Sequence, residues 1–340
     1  MVSIKDIARI ADVSVSTVSR IINNKKGVNL EKQARVLQAI KSTGYVPNKA
    51  ARDMVMKRTF TVALIIPDTF NIFQRQLFSN IEHHLQKFGY RTVFYFVAMG
   101  PDGEDDCFQR VKSERTDGII MLQEIQLHAF YEYLESNKIP CVITTFEKDE
   151  WTSTSIHVSE EEAAHAAVNH LIQLGHRRIS LICGKRYSFS LERKRGYRNA
   201  LEYAGLKYDE NLVVYVDSYS VLSGGEGMRE LMKRNTPFTA VFAVTDELAI
   251  GAMRELKDHG ISVPQDVSIV GFDDIEISSF TIPRLTTIRQ PLGEMAQTSV
   301  AMIHSLITSE NHLNVNIAMP SQLIIRESTS TLNGNAQDGT

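Results

Sequence analysis

Apolar residues in the first forty-five positions recur at helical spacing in three short runs. Ile4, Ile7, Ala8 and Ala11 follow the i, i+3, i+4, i+7 spacing of one buried helix face. The pattern breaks at Asp12-Val13-Ser14, where Ser14 is suited to cap a second helix with its hydroxyl. Val18, Ile21 and Ile22 give that helix its apolar side, and Val15, Ser16, Ser19 and Arg20 fall on or near the outer side. A third helix is predicted over about residues 30–42, capped by Asn29 and stopped by Gly44, with Ala34, Val36, Leu37 and Ile40 inward. Two short helices joined by a turn, with a polar and basic outer face, suit entry into a DNA major groove.

From Thr61 the grammar changes to apolar runs alternating with amphipathic helices. Strands are predicted at 61–66, 91–98, 117–122 and 140–145, and a helix over 73–88. The rhythm restarts with a helix over 160–174, a strand at 179–183, a helix over 193–204 and strands at 212–216, 240–244 and 267–271. Two copies of one βαβ layout mean two doubly wound parallel sheets in an α/β fold. A ligand cleft is expected at the carboxyl ends of their strands.

Charge sharpens this division. The formal net charge is −3, but residues 1–59 hold 12 Lys+Arg against 4 Asp+Glu, a balance of +8, so the remainder carries −11. A basic head on an acidic body is the footprint of a nucleic-acid-binding module joined to something else. No apolar run is long enough to span a bilayer, and Met1-Val2-Ser3 leads straight into an amphipathic helix without a signal-peptide core. Cys107, Cys141 and Cys183 are far apart and form no CxxC pair, which points to buried thiols and a cytoplasmic protein. No metal-ligand spacing, phosphate-binding glycine loop or convergent catalytic set is legible, so neither cofactor nor enzymatic activity is expected.

The order Ile4, Asp6, Ile7, Ala8, Ala11, Val13, Ser14, Thr17, Val18, Ser19, Arg20 resembles the DNA-binding headpiece of the lactose/galactose-repressor family. Asp12 departs from it, since the family usually has Gly there; Asp tolerates a left-handed turn position better than most residues. The resemblance continues through Leu174–Ile179, Glu192–Tyr197, Ala243–Gly251, Val270–Asp274 and Pro283–Pro291, and covers roughly residues 2–329.

The resemblance implies a three-helix headpiece over 1–46 and a hinge helix over 47–59. The core would resemble periplasmic sugar-binding proteins, with subdomains of residues 60–157 plus 287–319 and 158–286 plus 320–329, followed by a disordered tail, 330–340. It implies base contacts from Val15, Ser16 and Arg20 and phosphate contacts from Lys5, Ser14, Thr17, Asn23 and Tyr45. Ala51 and Met54 would lie at the minor groove, with Met54 as a wedge where the family more often has Leu.

Effector contacts are implied for Phe73, Gln74, Thr145, Phe146, Arg193, Tyr219, Thr245 and Asp273. Thr245 stands where the family usually offers Asn, and Thr145 where many sugar-binding members have Asp. Both departures argue against a standard free hexose and point to a small polar metabolite such as a carbohydrate derivative. Asp274, beside Asp273, reads as a cap for the next loop. The implied partners are double-stranded DNA with a pseudo-palindromic operator, a second copy of the chain docked near residues 72–88, and the effector. A protein corepressor in its place, or a plain solute-binding protein, are the alternatives.

Overall fold

The computed structural model describes residues 2–22, 28–45, 58–68, 71–98, 100–146, 154–185, 188–309 and 314–332. It divides into two compact units, residues 1–60 and 61–340. Asn23, Ala51, Met54 and nearly all of the expected hinge helix lie outside the described residues.

The first unit holds α1 (Ile4–Ile10), α2 (Val15–Ile22) and α3 (Leu30–Thr43). Ser3 and Asp6 cap α1 reciprocally, and Ser14 Oγ accepts from the Thr17 N–H (3.1 Å) at the start of α2. Asp12 takes φ 50°, so the turn does use the left-handed conformation at a non-glycine residue. Ile7, Ala8, Ala11, Val18, Ile21, Val36, Ala39 and Tyr45 form the core. Within α3 the inward face is Val36 and Ala39 with Ile40 half-buried; Ala34 and Leu37 are exposed, contrary to expectation. The helix is rotated so that Val36 meets α1 and α2, and a phase error of one residue turns a helix by about 100°.

The second unit contains two six-stranded sheets, ordered β11-β5-β4-β3-β1-β2 and β12-β10-β9-β8-β6-β7. The first sheet is built from β1 (Thr61–Pro67), β2 (Arg91–Val97), β3 (Gly118–Met121), β4 (Cys141–Thr144), β5 (Thr154–Val158) and β11 (Asn316–Met319). Its helices are α4 (Ile72–Lys87), α5 (Pro101–Ser113), α6 (His128–Ser136) and α11 (Leu292–Thr308). The second has β6 (Ile179–Gly184), β7 (Val213–Val216), β8 (Ala240–Ala243), β9 (Ser268–Asp273), β10 (Thr286–Arg289) and β12 (Gln322–Ile324). Its helices are α7 (Glu160–Gln173), α8 (Ser188–Tyr203), α9 (Val221–Lys233) and α10 (Asp246–Asp258). All pairings are parallel except β10 with β12, and β1, β3, β4, β6 and β8 are buried along their whole length, as strands covered on both faces must be.

The chain passes between the sheets three times, after Val158, after Arg289 and after Met319. The second crossing therefore falls later than the expected boundary at 286/287, because Thr286–Arg289 pairs with β9 and β12 of the second sheet. Residues 330–332, expected to belong to a disordered tail, are instead held by hydrogen bonds. Ser330 N–H donates to Ser268 Oγ (3.1 Å), its carbonyl faces His176 Nε2 (3.1 Å), and Leu332 N–H donates to the Leu174 carbonyl (2.8 Å). Burial keeps the His176 imidazole neutral, lowering its pKa, and its other nitrogen meets Thr239 Oγ1 (2.9 Å). The thiols of Cys107, Cys141 and Cys183 are buried and unbridged, with their pKa values raised by desolvation.

Helices α9 and α10 approach through glycine. A Cβ at Gly251 would sit 1.9 Å from the Val221 carbonyl oxygen, and one at Gly224 2.2 Å from that of Leu248. Backbone cannot yield there as a flexible side chain would. Gly251→Ala is expected to force the helices apart and cost about 1–3 kcal/mol, the usual range for overpacking, read as a lower urea midpoint. An unchanged midpoint would refute the close approach.

Candidate DNA interface and effector cleft

In the first unit, α2 presents Val15, Ser16 and Arg20 on its exposed side while Val18 and Ile21 are buried. Ser14 Oγ lies 2.8 Å from both Ser16 Oγ and Thr17 Oγ1, so hydroxyls cluster at the start of the helix. Lys5 is exposed on α1, and Tyr45 packs into the small core. One apolar, one hydroxyl and one guanidinium group on an outer helix match what base edges offer in a major groove.

In the second unit, a cavity of about 480 Å³ opens at the carboxyl ends of the strands of the first sheet. Val97 and Ala98 follow β2, Leu122 and Gln123 follow β3, and Thr145 and Phe146 follow β4; Gln74 and Pro101 come from the first turns of α4 and α5. The second sheet contributes Ser188 and Phe189 from the start of α8. The volume suits a small metabolite. Thr145, the residue after β4, takes φ 87°, which directs the chain around the cavity wall. Gln74 forms a capping box with Asn71, its N–H donating to Asn71 Oδ1 (2.9 Å) while its Oε1 accepts from Asn71 N–H (3.2 Å). Across the cleft, a Glu247 carboxylate oxygen accepts from the Ile72 N–H (2.9 Å) at the same turn.

Of the expected effector contacts, Gln74, Thr145 and Phe146 line this cavity. Phe73 instead packs in the core beside Leu77 and Ile81. Thr245 is buried as the N-cap of α10, its hydroxyl accepting from Leu248 N–H (3.3 Å). Arg193 and Asp273 meet behind the wall. Arg193 is 3% exposed, and Nε donates to Glu160 Oε2 (2.6 Å) while Nη1 reaches the Val244 carbonyl and Asp273 Oδ1 (3.4 Å). Its guanidinium lies over the rings of Phe272 (3.5 Å) and Phe189 (4.9 Å). Tyr219 packs its ring 5.0 Å from that of Phe189.

Desolvation works against the Arg193 charge, but Glu160 and Asp273 outweigh it and hold its pKa above the ordinary value. Asp273 is raised well above the ordinary carboxylate range by burial, which the Arg193 charge and the amide of Gln290 (2.8 Å) only partly offset. Asp274 does not act as a simple loop cap: it pairs with Arg289 (2.6 Å) and Arg326 (2.5 Å), tying β10 to the segment after β12.

Sequence reasoning missed Ser188 and Phe189 because it began the helix at Arg193. Ser190 was the available signal. Its hydroxyl accepts from the Gly184 N–H (2.9 Å) and donates to the Gly184 carbonyl (3.0 Å), which starts the helix five residues earlier and brings Phe189 to the cavity. Gln123 and Gln126 sit in the loop after β3, which Glu104 pins by accepting from Gln126 N–H (2.8 Å) and Leu127 N–H (2.9 Å).

Residues 3–48 match the profile of bacterial regulatory proteins of the lacI family, and residues 168–329 that of a periplasmic binding protein-like domain. The chain is 32% identical over 335 residues to the HTH-type transcriptional regulator DegA of Bacillus subtilis (strain 168), covering 97% of this chain and 99% of that one. It is 31% identical to catabolite control protein A of Priestia megaterium over 96% of this chain and 99% of the relative. Among solved structures, the lac repressor dimer bound to operator and the anti-inducer ONPF superposes with TM-score 0.86 at 26% identity, covering 97% and 99% of the two chains. The CelR–cellobiose complex gives TM-score 0.72 at 30% identity over 96% and 100%. The fold and both sites thus define a DNA-binding regulator with a periplasmic-binding-protein-like core. The chain belongs to the lacI family of bacterial regulatory proteins, and its function is sequence-specific transcriptional regulation.

A second buried carboxylate sets a pH test. Asp246 accepts from Ile275 N–H (2.9 Å), Ser278 Oγ (2.6 Å) and Thr287 Oγ1, yet burial pushes it up to about 7. The unfolded carboxyl titrates near 3.9, so the folded chain binds the proton more tightly. Stability is then full below about pH 4 and falls as pH rises towards about 7, by roughly 1.4 kcal/mol per unit of pKa difference. Asp246→Asn is expected to reduce that slope, the raised Asp273 keeping part of it. Urea midpoints between pH 4.5 and 7.5 check this; identical slopes would count against the buried acid.

Proposed function

We propose that the chain is a homodimeric, cytoplasmic repressor of carbohydrate or related metabolite genes, released from or held on its operator by a small effector in the cleft. The observation that carries the reading is the cavity at the strand ends, lined by Phe146, Phe189, Gln74, Gln123 and Thr145. Aromatic faces beside amides and hydroxyls are the chemistry that takes up a sugar or sugar derivative. Related structures hold such ligands, cellobiose in CelR and ribose in an Enterococcus faecium regulator. The arrangement acts as a binding site, and the relatives carry regulatory rather than enzymatic names. No helix of the described residues is long and apolar enough to cross a membrane.

On DNA, Val15, Ser16 and Arg20 read base edges, and Lys5, Ser14, Thr17, Asn23 and Tyr45 hold phosphates, with Ala51 and Met54 serving the minor groove. Arg20 has the fork for guanine, while Val15 offers only an apolar contact such as a thymine methyl. Arg20→Ala is expected to weaken binding to a selected operator by about 1–3 kcal/mol and to leave non-specific binding nearly unchanged. Gel-shift titration of both proteins decides it, and equal operator affinities would sink the assignment.

Two surface apolar patches support the dimer. One joins α4 to edge strand β2, where half-buried Phe78 and Phe94 and exposed Phe96 form a ring series with centroids 5.8 and 6.5 Å apart. The other carries Phe280, 70% exposed, and Ile282, 91% exposed. A charge at Ile282 would have to be desolvated in an interface. Ile282→Asp is therefore expected to shift sedimentation from dimer towards monomer at micromolar concentration. A dimer of undiminished affinity would place the interface elsewhere.

Thermal-shift titration of the full chain against cellobiose, ribose, phosphosugars, sugar acids and nucleosides tests the effector. A native-state ligand at one hundred times its Kd adds about 2.7 kcal/mol and raises Tm. Repeating operator binding with any hit shows whether it releases or tightens. A blank panel would favour a protein partner over a small molecule.

A further inference from the structure

We propose that Phe189 determines which ligands the cleft accepts, by walling Arg193 and Asp273 off from the cavity. The proposal rests on the reading of the cleft as an effector site, and its first test needs no effector.

The Phe189 ring faces two ways. It lines the cavity, and the Arg193 guanidinium lies 4.9 Å from its centroid. The other ring over that guanidinium, Phe272 at 3.5 Å, is fully buried. Arg193 itself is buried and already engaged by Glu160, the Val244 carbonyl and Asp273. A cation held between two rings and two carboxylates has little left to offer a ligand, and the aromatic ring is the surface that a ligand meets first.

The ring is held where it is. Ser190 ties the first turn of α8 to Gly184 through a donated and an accepted hydrogen bond. Tyr219 packs against Phe189 with centroids 5.0 Å apart, and it occupies space that a side chain at residue 184 would need: a Cβ there would lie 2.2 Å from the Tyr219 hydroxyl. Phe189 is therefore a braced wall rather than a loose side chain in an open mouth.

The chemical consequence is a class of ligand. Among the described residues, the polar side chains lining the outer cavity include Gln74, Gln123, Gln126, Thr145, Glu104 and Glu124, beside the rings of Phe146 and Phe189. Amides and carboxylates beside aromatic faces suit an uncharged polyhydroxyl ligand. Arg193 becomes open to a phosphorylated or acidic sugar only once Phe189 leaves.

The test is chemical access to Arg193 in the full-length protein. Wild type, Phe189→Ala and Phe189→Leu are treated with phenylglyoxal, and modification is read by peptide mass spectrometry relative to Arg198, which is exposed on the same helix. In wild type, Arg193 is expected to react at least tenfold more slowly than Arg198. Phe189→Ala is expected to bring the two within about threefold, with Phe189→Leu between. Arg193 reacting like Arg198 in wild type would overturn the wall. So would an unreactive Arg193 in a Phe189→Ala protein that still melts cooperatively, since the ion pairs alone would then exclude the reagent. If Phe189→Ala does not fold, Phe189→Leu decides by the same ratio.

A second arm compares glucose 6-phosphate and galacturonate with cellobiose and ribose by thermal shift on the same variants. A response to the acidic sugars gained only on shortening Phe189 supports the proposal, and a wild-type preference for them overturns it. Silence towards every sugar in every variant counts against the effector reading, and the access ratio still decides the wall.

Discussion

A guanidinium taken out of water must be paired, and much of the core is arranged around meeting that demand at Arg193. Its partners come from four places in the chain: Glu160 at the start of α7, Val244 after β8, Asp273 at the end of β9, and Gln290 acting through Asp273. Glu160 follows the first crossing between the sheets and Gln290 lies in the second. The same cluster that satisfies one buried charge therefore braces two of the connections between the subdomains. Such a cluster is weak support for stability, since an ion pair in a dry interior only roughly offsets its own desolvation. Its value lies in fixing the start of α7 and the second crossing against the ends of β8 and β9.

Backbone strain marks the same region. Thr145 at φ 87° follows β4, and Asp273 at φ 113° ends β9. These are corresponding places in the two sheets, where parallel strands run out and the chain must turn without covering the cleft. Left-handed geometry at such residues costs of order 1–3 kcal/mol each and persists only where surrounding structure enforces it. Here the enforcement is visible: Thr145 N–H is held by the Ile156 carbonyl (2.9 Å), and Asp273 by Gln290 and Arg193.

The sequence made the alternation of strand and helix legible because a parallel strand covered on both faces is apolar over most of its length, as Val62–Ile66 and Leu181–Cys183 are. Caps at Ser14, Asn29 and Gly44 were legible for equally local reasons. What escaped was set by contacts distant in sequence. Leu37 obeys the helical pattern yet faces outward, since the phase of α3 is fixed by packing on α1 and α2. Phe189 sits in a helical turn started by Ser190, whose bonds to the Gly184 backbone are made only once the strand end and the helix have met. Arg193, expected as an effector contact, is instead buried and engaged by Glu160, because the pattern could not tell a charge offered to a ligand from one already paired.

The three passages of chain between the sheets have a mechanical consequence. Met319 pairs with Val158 beside the first passage, and Arg289 pairs with Gln322 beside the second, so the third passage runs as the neighbour of both. Three strips laid side by side bend readily about the line across them and resist twist and shear in their own plane. The subdomains are thus tethered by a strap with one soft direction. A cut in any single strip leaves the other two to carry the load, so a nicked chain would stay folded as one piece while losing the stiffness that makes one motion preferred over all others.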